Sequence, residues 1–274
     1  MQFGLGTIGA AAATAAANIA GAIFFFHYLR KGGADGKAIR LKWKGFPTLA
    51  SLQPIIDMGR VLVSRNFVLM LAYTGMTAVA TTMGTFTLAA HQVTLQLFWF
   101  LSYIPEPLSL TAQSLLARDR NDKNKIRNLS RVLVKFGAYS GVVLAGLFCV
   151  SPTLLARCFT SDLAVIAAFQ KLIPHGMVAL VLLSESSMFD GISIGSSQFE
   201  HLPSIMYAST AATLGFQWVT MKLNLGLNGI WMSMVIFFAA RNLLHVVHLV
   251  RNWNISPFSA FAPSYSLEPQ LATN

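Results

Sequence analysis

The chain has 274 residues, 54% of them hydrophobic and only 11% charged, and carries a net charge of +10. Soluble domains average about a quarter charged residues, and here the apolar residues also come in long runs, which excludes an ordinary soluble domain. The basic residues cluster between those runs: first Arg30, Lys31, Lys37, Arg40, Lys42 and Lys44, then Arg118, Arg120, Lys123, Lys125, Arg127, Arg131 and Lys135. No aromatic residues interleave the second cluster as a stacking platform for nucleic acid requires. The pattern is a membrane topology signal, so a lipid bilayer rather than nucleic acid is the expected partner.

A membrane-crossing helix needs about 20 mostly apolar residues. Candidates in chain order are Thr7–Leu29, Val61–Thr82, Leu88–Ala117, Val132–Leu155, Phe169–Ile194, Ser204–Met221 and Leu227–Val250, an all-α integral membrane protein of about seven spans. The first is rich in Ala and Gly, which suits close helix packing in lipid. Gly137 with Gly141, and Gly191 with Gly195, match the GxxxG pattern, a weak signal in spans so rich in glycine. Cys149 and Cys158 fit neither a disulfide framework nor a metal site and are expected to be packing residues. Asn128 and Asn254 head glycosylation triplets but fall on the expected cytoplasmic side.

Basic loops after the first and third spans belong in the cytoplasm. Residues 198–202 and the C-terminal tail then also lie inside, and the N-terminus outside. Met1 begins almost directly at an apolar helix with no basic n-region. The expectation is a piece of a longer transporter; a seven-helix receptor is the rival.

Four segments carry a family resemblance. Ala89-Ala90-His91-Gln92 reads AAHQ, and residues 106–114 read EPLS-x-TAQS with Leu110 at the open position. Residues 189–199 read FDG-x-x-x-G-x-S-x-F with Gln198 near the end, and residues 226–232 read GLNGIWM. Together they resemble the MATE (multidrug and toxic compound extrusion) transporters, specifically the plastid-type branch of plants and algae. Gln198 stands where that branch usually has Asp. The resemblance implies helices six to twelve of a twelve-helix fold. Residues 1–30 would be the last helix of an otherwise missing N-lobe, and 31–56 a basic cytoplasmic inter-lobe loop. Residues 57–252 would form the six-helix C-lobe and 253–274 a cytoplasmic tail.

Candidate site residues follow from charge placed in hydrocarbon, which is expensive and marks function by default. Glu106 sits between Pro105 and Pro107 in the third span, on a stripe with Trp99, Ser102, Tyr103, Ser109 and Gln113. A carboxylate withdrawn from water there can take up and release a proton near neutral pH; it can equally cap a kinked helix or pair with an Arg. Asp190 lies in the fifth span with Ser186, Ser187, Ser193 and Ser197 on nearby faces. The resembling family uses an acid in this helix for proton or sodium coupling; the alternative is a carboxylate that only pins two helices. Glu185 sits about 140° around the helix from Asp190, so the two form no dyad.

Arg65 is the expected counter-ion, and Asp57 an acid at a helix start. His91 is expected as a satisfied histidine near the outer surface, Phe98, Trp99 and Tyr103 as cavity walls, and Trp218, Trp231 and Trp253 as interfacial anchors or walls. Pro174 and His175 suggest a second kink. No Walker A loop, zinc motif or nucleophile elbow appears, so an enzyme is not expected.

The sequence therefore points to a secondary active antiporter that exports organic solutes or xenobiotics in exchange for protons or Na+, with no other cofactor. Asp190 and Glu106 would carry the coupling ion, and Trp99, Tyr103, Gln113, Ser186 and Ser187 would line the substrate cavity. The alternative is a non-transporting membrane fragment or assembly partner. The expected location is a multi-pass membrane: the chloroplast envelope, or otherwise the plasma or vacuolar membrane.

Overall fold

The computed structural model describes residues 6–31, 48–118, 122–154 and 162–251, which are largely helical. Expectations for Lys37 to Lys44, Arg120, Cys158, Trp253 and Asn254 fall outside those residues. Two units are distinguished, residues 1–53 and 54–274. The first holds α1 (Gly6–Arg30), whose last turn is extended when the Lys31 N–H donates to the His27 carbonyl at 3.1 Å.

The second unit contains most of α2 (Leu49–Thr82), then α3 (Thr85–Ser102), α4 (Pro105–Arg118) and α5 (Lys123–Leu154), followed by α6 (Leu163–Gly195), α7 (Leu202–Lys222) and α8 (Gly226–Arg251). Local chemistry sets several of these starts. Asp122 accepts the Asn124 and Lys125 N–H groups at 3.1 Å, and Asp162 accepts from Ala164 at 2.8 Å, each satisfying donors that a helix start leaves open. Pro203 occupies the first turn of α7, where its missing N–H costs nothing. Gly84 turns between α2 and α3 at φ 98°, a conformation that penalises a side chain.

Two expectations about elements change. The third span is not one helix: it breaks at Tyr103 and Ile104 into α3 and α4. Pro105 and Pro107 bring no N–H to the carbonyls of Leu101 and Tyr103, so the helical ladder cannot run through. The second helix begins at Leu49 rather than Val61, which places Asp57 two turns inside it. Asp57 therefore cannot serve the helix start; it is exposed and lies 3.7 Å from Arg60. By contrast, α6 continues through Pro174 without a break.

Among the described residues, Ala11–Arg30, Asn124–Val150, Leu163–Gly195 and Gly226–Arg251 are long and apolar enough to cross a membrane on their own. α7 is 21 residues long but spends its inner face on buried Ser209, Thr210, Thr213, Gln217 and Thr220. Two of these reach α2: Gln217 donates to the Ala72 carbonyl at 3.0 Å and Thr210 to Val68 at 3.4 Å. The outer surface, meanwhile, is apolar, with Phe67, Val142, Leu147 and Leu243 exposed. Polar inside and apolar outside is the arrangement lipid requires.

The core is aromatic. Phe98 of α3 meets Trp231 of α8 edge-on at 5.8 Å and Phe238 at 6.2 Å, while Phe148 meets Phe169 at 5.6 Å. Trp231 is completely buried, so it is neither an interfacial anchor nor a cavity wall. His91 is also buried in this layer, 3.3 Å from Thr77, rather than at the outer surface.

Both glycine pairs are sites of close approach. A Cβ on Gly141 would stand 2.9 Å from the Val181 backbone, and one on Gly191 would stand 2.9 Å from the Ser109 carbonyl oxygen. One on Gly195 would come within 2.8 Å of the Gln113 carbonyl. Ser184 fills the α5–α6 contact by donating to the Gly137 carbonyl at 2.9 Å. α6 is thus clamped to α5 on one side and to α4 on the other. Gly191→Ala should destabilise the folded protein by about 1–3 kcal/mol, since backbone cannot yield as a side chain does. Unfolding in mixed micelles reads this out, and Gly146→Ala, which meets open space, should be near neutral.

Candidate functional site

α6 passes through the middle of the second unit and presents Asp190 to α8 and α2. Arg241 of α8 donates to Asp190 Oδ2 in a very short contact, and both side chains are buried. Arg65 of α2 brings Nη1 to 3.0 Å from the same oxygen, as an ion pair without an aligned hydrogen bond. His245 brings Nε2 to 3.2 Å from Oδ1. One carboxylate therefore stands among two guanidiniums and an imidazole. The serines expected to satisfy Asp190 do not reach it. Ser186 donates to Asn242 at 3.1 Å, Ser187 to the Leu183 carbonyl at 3.0 Å, and Ser193 lies 3.3 Å from His201.

A cavity of about 160 Å³ opens beside this cluster, lined by Arg65, Tyr73, Asp190 and Arg241. Ser102, Glu106, Ser109, Gln113 and Ser187 also line it. The spacing of the first four, at four, three and four residues, carries one polar stripe across the α3–α4 break. Ser109 ties α4 to α6 by donating to the Ser187 carbonyl at 2.8 Å. Glu106 lines the cavity and is exposed in it, and no ion pair or hydrogen bond to its side chain occurs among the described residues. The space holds a few water-sized groups.

The proposed aromatic walls are placed differently. Tyr103 is 70% exposed at the helix break and does not line the cavity, because the break turns that position outward. Trp99 lies behind the lining, edge-on to Tyr73 at 5.6 Å. Phe98 is consumed by the core, and the aromatic residues that line the space are Tyr73 and Phe238. Ser186 is buried away from it. Glu185 points to α5 instead, near Gly137, and Trp218 is exposed under Lys222 at 5.8 Å.

Sequence reasoning missed Arg241 and His245. The signal was available: Arg241, His245 and His248 recur at four and three residues, one face of an otherwise apolar helix. At the end of α6, the turn that follows carries His201, whose ring stacks on His248 with centroids 3.4 Å apart. Burial and the neighbouring His248 and His245 push His201 down to about 4.

Removing one partner of a buried ion pair strands the other charge, at about 3–5 kcal/mol. Arg241→Leu should show a loss on that scale in unfolding experiments, and adding Asp190→Asn should restore most of it. His201 gives a second expectation. Its pKa is lower folded than unfolded, so the unfolded chain binds the proton better. Stability is full above pH about 6.5 and should fall as pH drops toward 4. His201→Gln should flatten that fall, measured as melting temperature against pH.

Comparison with known proteins agrees with this architecture. The MatE family model matches residues 62–219, more than half of the chain. The chain is 29% identical over 252 residues to Protein DETOXIFICATION 47, chloroplastic, of Arabidopsis thaliana, covering 90% of this chain and 45% of that protein. It is 23% identical over 216 residues to Protein DETOXIFICATION 45, chloroplastic, of the same plant, covering 77% of this chain and 38% of that one. A bacterial relative, DNA damage-inducible protein F of Escherichia coli, is 23% identical over 256 residues, covering 89% and 53%. The chain spans about half the length of these relatives.

Proposed function

Because the chain belongs to the MatE family, a family of integral membrane transporters, we propose that it works in a secondary active antiporter exporting organic solutes in exchange for protons or Na+. The observation that carries this reading is Asp190, held between Arg241 and Arg65 on the wall of a cavity that also holds Glu106. In the closed cluster Asp190 is matched by positive charge from α8 and α2. A coupling cation that binds Asp190 competes with those guanidiniums and loosens three helices at once.

The energetics set the scale. One proton crossing a potential of 100 mV supplies about 2.3 kcal/mol, whereas breaking a buried pair costs about 3–5 kcal/mol. A potential alone does not open the cluster. A pH gradient or the binding of the solute must contribute, which is the condition for exchange rather than leak. Glu106 lines the same cavity as Asp190 and serves as the second acidic position; Gln113, Ser187 and Tyr73 supply polar and aromatic contacts for the solute.

Two of the relatives carry "chloroplastic" in their names, which supports a chloroplast membrane as the location. A second reading, a membrane fragment or assembly partner that does not transport, draws on the chain's spanning about half the relatives' length. Reconstitution in liposomes of the complete protein that carries this chain separates the two: pH-driven flux supports the first reading, and its absence the second.

Asp190→Asn in the complete transporter is the direct test. It should abolish pH-driven extrusion of a panel of fluorescent organic solutes while leaving their binding measurable. Unchanged flux overturns the assignment.

A further inference from the structure

We propose that His248, His201 and His245 form a proton path that joins a pocket at the α6–α7 turn to Asp190. It rests on Asp190 being the site of coupling. The pocket, of about 530 Å³, is lined by Ser197, Gln198, Glu200, His201 and His248. It lies at the end of the bundle that the basic loops assign to the cytoplasm, away from the cavity of Glu106.

The geometry runs inward from there. His201 stacks on His248 with ring centroids 3.4 Å apart and 14° between planes, and its Nε2 is 3.3 Å from Ser193 Oγ. Its ring stands edge-on to His245 at 6.0 Å and 84°. His245 then reaches Asp190 Oδ1 with Nε2 at 3.2 Å. Two rings, His201 and His245, therefore separate the pocket from a carboxylate that is 5% exposed.

A neutral imidazole accepts a proton on one nitrogen and releases one from the other. The protonated Asp190 gives its proton to His245 Nε2 and becomes a carboxylate. The His245 imidazolium releases its Nδ1 proton to His201 as the rings turn, and His201 passes a proton to solvent in the pocket. Each ring ends neutral, and a tautomer exchange resets it.

Two observations distinguish this from simple packing. His245 is buried, yet neither ring nitrogen makes an aligned hydrogen bond, its Nε2 only standing 3.2 Å from Asp190, an arrangement that costs stability in a purely structural residue. His201 is held low by burial, which keeps its lone pair available at cytoplasmic pH. The charged groups that face His245 are Asp190 from α6, Arg241 from α8 and Arg65 from α2. Those that face His201 are His248 and His245 from α8 and Asp190 from α6, with Glu200 preceding it in the turn.

The test is a rapid pH jump on the complete transporter, following the infrared carboxyl band that Asp190→Asn removes. His245→Gln should slow the appearance of that band by about 10²-fold, with its final amplitude retained and added imidazole restoring the rate. His201→Gln and His248→Gln should slow it less. An unchanged rate in His245→Gln overturns the path while leaving Asp190 as the coupling site; absence of the band in the unmodified protein overturns the coupling site itself. If His245→Gln does not fold, the other two variants decide: slower rates support the path and unchanged rates reject it.

Discussion

The structure depends on holding one carboxylate inside an apolar bundle. Asp190 is buried on α6, and Arg241, Arg65 and His245 reach it from α8 and α2. Nothing weaker is adequate, since an isolated charge in such surroundings is expelled or neutralised. The consequence is that three helices are bound to each other through one residue. Hydrophobic contact alone has little directional preference in lipid, where the tails are as apolar as the side chains. The ionic cluster gives α2, α6 and α8 a defined register.

Around that cluster the packing divides into two kinds. The aromatic layer of Phe98, Trp231, Phe237 and Phe238 joins α3 to α8, while the glycines of α5 and α6 let backbones approach closely. Glycine contacts hold α6 against its neighbours where a large side chain would separate them. The aromatic layer fills the wider gaps. Several polar groups bridge helices within the bundle: Ser109, Ser184, Gln217 and Asn242 each donate to a carbonyl of another helix. Each of these bonds fixes a neighbouring helix as surely as a larger apolar contact, because an unmade bond costs more in hydrocarbon than in water.

The helical architecture was legible because apolar runs of membrane length are a strong signal, and the family followed from motifs at four places. Asp190 and Arg65 stood out as charges in such runs. Their pairing was legible too, since a buried carboxylate needs a counter-ion and Arg65 is the charge available in the second span; the structure brings the two within 3.0 Å across 125 positions of chain. The stripe through Glu106 was half legible: Ser102, Ser109 and Gln113 share its face, but Tyr103 does not, since helical periodicity fails where two prolines interrupt the ladder. His91 is expected at the interface, and Trp231 there or on a cavity wall, because amphipathic rings favour such positions. The aromatic layer draws both inside. Arg241 and His245 were overlooked because α8 is apolar enough to read as a plain span, although their spacing marked one face.

The break between α3 and α4 changes the mechanics of that crossing. α3 is fastened through Phe98 to α8, whereas α4 is fastened through Gly191 and Gly195 to α6. A continuous helix would transmit tilt from one partner to the other; a jointed one need not. Glu106 and Asp190 therefore ride together on α4 and α6, which the close glycine contacts hold against each other. Bending at the joint leaves the distance between the two acids nearly fixed.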